Sequence, residues 1–94
     1  MTARVMVSAL VAEEHVEAFE HAYAEVTGHV AGTRGHISDE LLRDRTQPGR
    51  YILLSEWDSV EDFLAWENRP IHRETTTPMR PYWSVIERSI FEVA

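Results

Sequence analysis

The chain has 94 residues and contains neither cysteine nor lysine. Without thiols it can form no disulfide and no thiolate metal site. Without lysine it can form no Schiff base and carry no pyridoxal phosphate linkage. All basic side chains are arginines, and the 9 of them are outnumbered by 16 carboxylates, leaving a formal net charge of −7. That balance excludes the basic stripe a nucleic-acid partner would need. No apolar run approaches the roughly 18 residues of a membrane-spanning helix, and no charged segment leads into an apolar signal stretch. The expectation is a cytoplasmic protein with no membrane partner. Glycine-rich phosphate loops, zinc-ligand spacings and a nucleophile elbow are also missing, so no metal or cofactor is expected.

What remains is one domain's worth of chain, residues 1–94. Residues 3–12 are almost continuously apolar and rich in valine, which predicts a strand buried on both faces. Glu13 and Glu14 suit the start of a helix. Val16, Phe19, Tyr23, Val26 and Val30 then recur at helical spacing, with Glu17, Glu20, His21 and Glu25 between them. Gly28, Gly32 and Gly35 punctuate the helix end and the connection that follows. Residues 36–45 make a weaker strand whose alternation slips near Glu40 to Leu42, suggesting a bulge or an exposed edge. The turn Thr46-Gln47-Pro48-Gly49 joins it to a strand over 50–57, giving a hairpin. Ser59 and Asp62 have capping-box spacing before a helix over 60–67. Pro70 interrupts that helix, and three consecutive threonines disfavour a long continuation over 71–77. A last strand covers 83–93.

The order strand, helix, strand, strand, helix, strand predicts an α+β fold of ferredoxin-like βαββαβ type. Two helices would cover one face of an antiparallel sheet. Apolar residues occur at both parities of the strands, as in Val5-Met6-Val7, Ile52-Leu53-Leu54 and Val85-Ile86. One helical layer cannot bury both faces, so the second calls for another subunit and a homodimer. A chain this short without disulfides also has few other ways to bury more surface.

The run from Tyr51 through Trp57, Phe63 and Trp66 to Pro70-Ile71-His72 resembles the antibiotic biosynthesis monooxygenase family. That family shows a strand ending in Trp, an acidic cap, an aromatic on the following helix and a Pro-x-His motif. The resemblance implies a dimeric α/β barrel with a pocket between helices and sheet. It implies an enzyme of secondary metabolism, a cofactor-independent monooxygenase acting on a small aromatic or polyketide-like molecule. A cyclase or isomerase without oxygen chemistry, a haem-binding or haem-degrading domain, and a non-catalytic ligand-binding module are the alternatives. The polyketide-oxygenating branch uses Trp57 together with an Asn and a Tyr, whose places here hold Leu53 and Phe63. The haem-degrading branch is similar at Trp66, but Ser8 and Thr75 or Thr76 stand where its Asn and its iron-ligating His would be.

His72 is the candidate catalytic residue, as a base or hydrogen-bond donor that titrates near neutrality, against a role in local helix packing. Trp66, Trp57, Phe63 and Tyr51 are candidates for an aromatic pocket wall, against plain core. Ser8 is a polar candidate in an apolar strand, Arg73 would attract an anionic substrate, and Asn68 flanks the Pro-x-His motif. His15, His21 and His29 lie on the first helix at spacings that do not make a metal pair, and His36 is placed to reach the cleft.

Overall fold

β1 (Ala3–Val11) sets the geometry of everything else. Its odd-numbered residues Ala3, Val5, Ala9 and Val11 are buried, while Leu10 is exposed and Arg4, Met6 and Ser8 are partly so. The strand is therefore buried on one face and open on the other, not on both as its composition suggested. In the computed structural model, which describes the backbone of residues 1–94 and every side chain except that of Arg73, β1 lies centrally in a four-stranded antiparallel sheet. The strand order is β2-β3-β1-β4, with β2 His36–Arg43, β3 Arg50–Trp57 and β4 Trp83–Glu92. The helices pack on the face to which Val5 and its odd-numbered neighbours point. This is the ferredoxin-like α+β arrangement that the element order predicted.

α1 (Val16–Val30) follows a 3-10 turn over Glu13–His15. Phe19, Ala22, Val26 and Val30 are its buried stripe, and the Phe19 ring packs on Tyr51 and Trp83. Burying a side chain of that size contributes about 1.5–3 kcal/mol. α2 (Val60–Glu67) is capped by Ser59, whose hydroxyl accepts a hydrogen bond from the Asp62 amide at 3.1 Å. Pro70 then starts a separate helix, α3 (Pro70–Thr76), because Arg69 before it is held extended at φ −75°, ψ 141°. α3 is about two turns long and ends among the threonines at Thr76, before a 3-10 turn over Thr77–Met79, so the continuation is the short one expected.

Two irregularities shape the sheet. Of the two alternatives for Glu40 to Leu42 the exposed edge holds, since β2 lies at the edge of the sheet, and the bulge is not there, since those residues pair regularly with Leu54 to Ile52. The register shifts instead between His36 and Ser38, just after Gly35 enters the strand at φ 83°, and Ile37 is left exposed. Leu42 only looked out of step because an apolar residue occupies the open face. A second shift lies in the pairing of β1 with β4, between Ser8 and Ala9, and makes Ile86 an extra residue in β4. Among the described residues, no helix is long and apolar enough to cross a membrane.

A polar clamp ties α1 to the sheet. Arg43 grips Glu20 with two hydrogen bonds of 2.7 and 2.8 Å, and the Tyr51 hydroxyl donates to the same carboxylate at 2.5 Å. Those donors, Arg43 first and Tyr51 second, lower the Glu20 pKa from 4.5 to about 2, with partial burial opposing them. Asp44 is also held well below its usual range, chiefly by Arg50 and by the backbone of its turn. A depressed folded-state pKa contributes stability that is complete above the unfolded value and is lost as the carboxylate protonates. Unfolding by urea should therefore show stability falling as pH drops from about 4.5 towards 2, and Glu20→Gln should flatten part of that slope. An unchanged slope in the variant would mean the clamp does not tune this carboxylate.

Candidate active site

Between the helix-facing side of the sheet and the three helices lies a cavity of about 410 Å³. The sheet supplies Val5 and Val7 from β1, Asp39 from β2, Leu53, Ser55 and Trp57 from β3, and Trp83, Val85 and Arg88 from β4. These positions face one another in the register, as in the pairs Val5 with Ser55 and Val7 with Leu53. The helical wall brings Tyr23, Thr27 and Val30 from α1, Phe63, Trp66 and Glu67 from α2, and His72 and Thr76 from α3. The lining is mainly apolar with a few convergent polar groups, the usual make-up of a small-molecule site.

A chain of rings runs along the cavity. Trp57 is 1% exposed, and its indole N–H donates to the Ser55 hydroxyl at 2.9 Å. Its ring centroid lies 5.1 Å from His36, 5.5 Å from Phe63 and 5.5 Å from Trp66. Trp66 in turn meets His72 at 4.3 Å with the two rings nearly perpendicular, at 87°. Edge-on packing of this kind fixes the imidazole plane. Burial lowers the His72 pKa from its ordinary 6.5, with Glu67 opposing the shift and Arg80 adding to it. The shift favours the neutral imidazole, the form that accepts a proton. Nearby, Arg88 pairs with Glu67 at 3.1 Å and stands 5.9 Å above the Phe63 ring.

The structure gathers His72, Trp66, Trp57 and Phe63 around this cavity. Ser8 is not on its wall: it pairs with Ile52 and Glu87 at an even-numbered position of β1, on the open face of the sheet. Tyr51 faces the helices but lies against Phe19 with its hydroxyl committed to Glu20, outside the cavity. Asn68 is an exposed residue at the C-terminal cap of α2. The side chain of Arg73 lies outside the described residues. Leu53 and Phe63 do line the cavity, so its wall is apolar at both.

Polar groups enter from places the sequence did not single out. Tyr23 sits on the apolar stripe of α1, yet its hydroxyl is buried in the structure without a hydrogen-bond partner. Asp39 faces inward from β2, with His36 Nε2 2.8 Å from its Oδ2. That contact has ion-pair distance but not the alignment of a hydrogen bond. Burial pushes the Asp39 carboxyl up and His36 pulls it down. The available signals were that Tyr23 is the one hydroxyl-bearing member of its helical stripe and that Asp39 shares the parity of Leu41. Among the described residues, no group of three or more His, Cys, Asp or Glu is placed to hold a metal ion.

Residues 2–77 match the family model for antibiotic biosynthesis monooxygenase. Protein SchA of Streptomyces halstedii is 41% identical over 61 residues, which cover 65% of this chain and 16% of that protein. A 42.8 kDa protein of the whiE locus of Streptomyces coelicolor is 39% identical over 61 residues, covering 65% of this chain and 15% of that one. The chain therefore matches only a small part of either relative. Among solved structures, SnoaB, a cofactor-independent oxygenase from Streptomyces nogalater, superposes with a TM-score of 0.82 at 19% identity, covering 100% of this chain and 95% of that one. A proposed antibiotic biosynthesis monooxygenase from Bordetella bronchiseptica gives 0.89 at 18% identity, covering 99% and 97%. At these identities the likeness is one of fold.

The cavity wall carries very unequal structural weight. Trp57→Ala should cost about 3–5 kcal/mol of stability, whereas Trp66→Ala, at a half-buried position, should cost clearly less. Urea titration of the two variants checks this. Equal losses would mean that Trp66 belongs to the core as firmly as Trp57.

Proposed function

Because the chain belongs to the antibiotic biosynthesis monooxygenase family, we propose that it is a tailoring enzyme of secondary metabolism, a cofactor-independent monooxygenase for a flat aromatic or polyketide-like molecule. The observation that carries this reading is a partly buried His72 set edge-on against Trp66 in a largely apolar cavity of about 410 Å³. Dioxygen reacts with a closed-shell organic molecule when that molecule is electron-rich, and a phenolate or enolate anion meets the need. His72 takes the proton, Trp57 and Trp66 pack against the ring faces, and exclusion of water keeps the anion reactive. With an anthrone as substrate, one atom of dioxygen becomes the new carbonyl oxygen. The other leaves as water with the two hydrogens of the reacting carbon.

His72→Ala should lower turnover by about 100-fold or more while thermal unfolding stays close to that of the parent. The depressed pKa sets the sign of the pH dependence. The base is available above its folded-state pKa, so activity should rise with pH along a limb lying below 6.5 and be flat through neutrality. Assays run under air and under argon separate oxygenation from cyclisation. Product formed equally in both favours the cyclase reading, and full activity in the alanine variant removes His72 from the mechanism.

The enzyme works as a cytoplasmic homodimer on this reading. The open sheet face carries Met6, Leu10, Leu42, Ile52, Leu54 and Phe91, with Leu10, Leu42 and Phe91 among the exposed large hydrophobics. Covering that face with a second copy would complete a sheet-on-sheet core. Sedimentation equilibrium should give twice the chain mass of 10.9 kDa, and Leu42→Glu should shift the species towards monomer. A monomeric parent protein would overturn the assembly.

A further inference from the structure

The cavity has polar groups besides His72. Tyr23 reaches into it from α1, and its hydroxyl is shielded from solvent with no hydrogen-bond partner. Buried polar atoms are almost always paired, so an orphan of this kind points to a partner that arrives from outside. Asp39 lines the same cavity from the edge strand β2, with its side chain 18% exposed. His36 stands behind it at 2.8 Å and is itself wedged against the edge of Trp57. Among the described residues, no hydrogen bond joins Tyr23 to Asp39. Burial, followed by the charges of Asp39 and Glu40, keeps the Tyr23 phenol protonated and hence a donor.

Building on the proposed oxygenase reading, we propose that Tyr23 and Asp39 form a specificity subsite for an oxygen substituent on the aromatic ligand. Tyr23 donates to that oxygen, and Asp39 accepts from it when it is a hydroxyl. His36 acts as a positioning residue for the Asp39 carboxylate. The substrate class narrows accordingly: a fused aromatic bearing a hydroxyl that meets Tyr23 and Asp39 is preferred over one lacking it.

Trp57, Trp66 and Trp83 line the cavity, so quenching of tryptophan fluorescence reports its occupancy. The probes are a dihydroxyanthrone and unsubstituted anthrone, titrated into the parent protein, Tyr23→Phe and Asp39→Asn. Tyr23→Phe should weaken binding of the dihydroxyanthrone by about tenfold and leave anthrone affinity unchanged. The thermal midpoint of the empty variant should stay level or rise, because the lost hydroxyl had no partner. Asp39→Asn, which keeps the shape and loses the charge, should weaken the hydroxylated probe by a smaller factor. If Tyr23→Phe affects both probes alike or neither, the subsite is overturned and the aromatic pocket stands. A large fall in its thermal midpoint would likewise overturn it, by showing that the hydroxyl serves the fold. If the parent protein binds neither probe, the aromatic-pocket reading fails and the subsite falls with it.

Discussion

The indole of Trp57 closes β3 and meets rings from three sides: His36 at the edge strand, Phe63 on α2 and Trp66 one turn further along that helix. Its N–H is satisfied within its own strand by Ser55, so the ring can be buried completely without an unpaired polar atom. Because it is held by strand, hydrogen bond and packing together, it fixes the angle at which α2 leaves the sheet. It also forms the floor on which the cavity is built. His72 acquires its orientation through this stack, since it is set against Trp66, which is set against Trp57.

Two of the polar groups of the cavity come from outside the stretch between Trp57 and His72. Tyr23 is delivered by α1 and Asp39 by β2. α1 is anchored at one end by the Glu20 clamp to β2 and β3, and its buried stripe presses on the sheet. Side chains placed by such a helix stay put without hydrogen bonds of their own, which is the condition for leaving one hydroxyl unpaired. α3 is short and separated from α2 by Pro70, and its His72 ring is set against Trp66.

Much of this architecture was legible in the residues. The apolar period of α1, the Pro-Gly turn, the Ser59 cap and the break at Pro70 each rest on local chemistry, and each element forms where that chemistry put it. The rings of Trp57, Phe63 and Trp66 and the imidazole of His72 were recognisable from one contiguous stretch. What could not be read was parity across strands. Whether Ser8 or Val7 faces the helices depends on which neighbour pairs with β1 and in what register, and a period of two makes that an all-or-none matter. Tyr51 and Tyr23 show the same limit from another side. Both sit in apolar patterns with a hydroxyl to place, and only the fold decides that one finds Glu20 and the other finds nothing.

The extra residue at Ile86 lets β4 present Trp83 and Val85 on one side of the shift and Arg88 and Ile90 on the other, all facing the helices. An unbroken alternation through ten residues could not do so, since it would carry Arg88 to the opposite side. The strand consequently behaves as two segments, each in phase with β1 and free of the other's phase. A residue lost at the bulge would leave both segments as they are, whereas one lost elsewhere in β4 would turn a whole segment over. In this strand, length variation has one permissive position, and it lies beside the cavity.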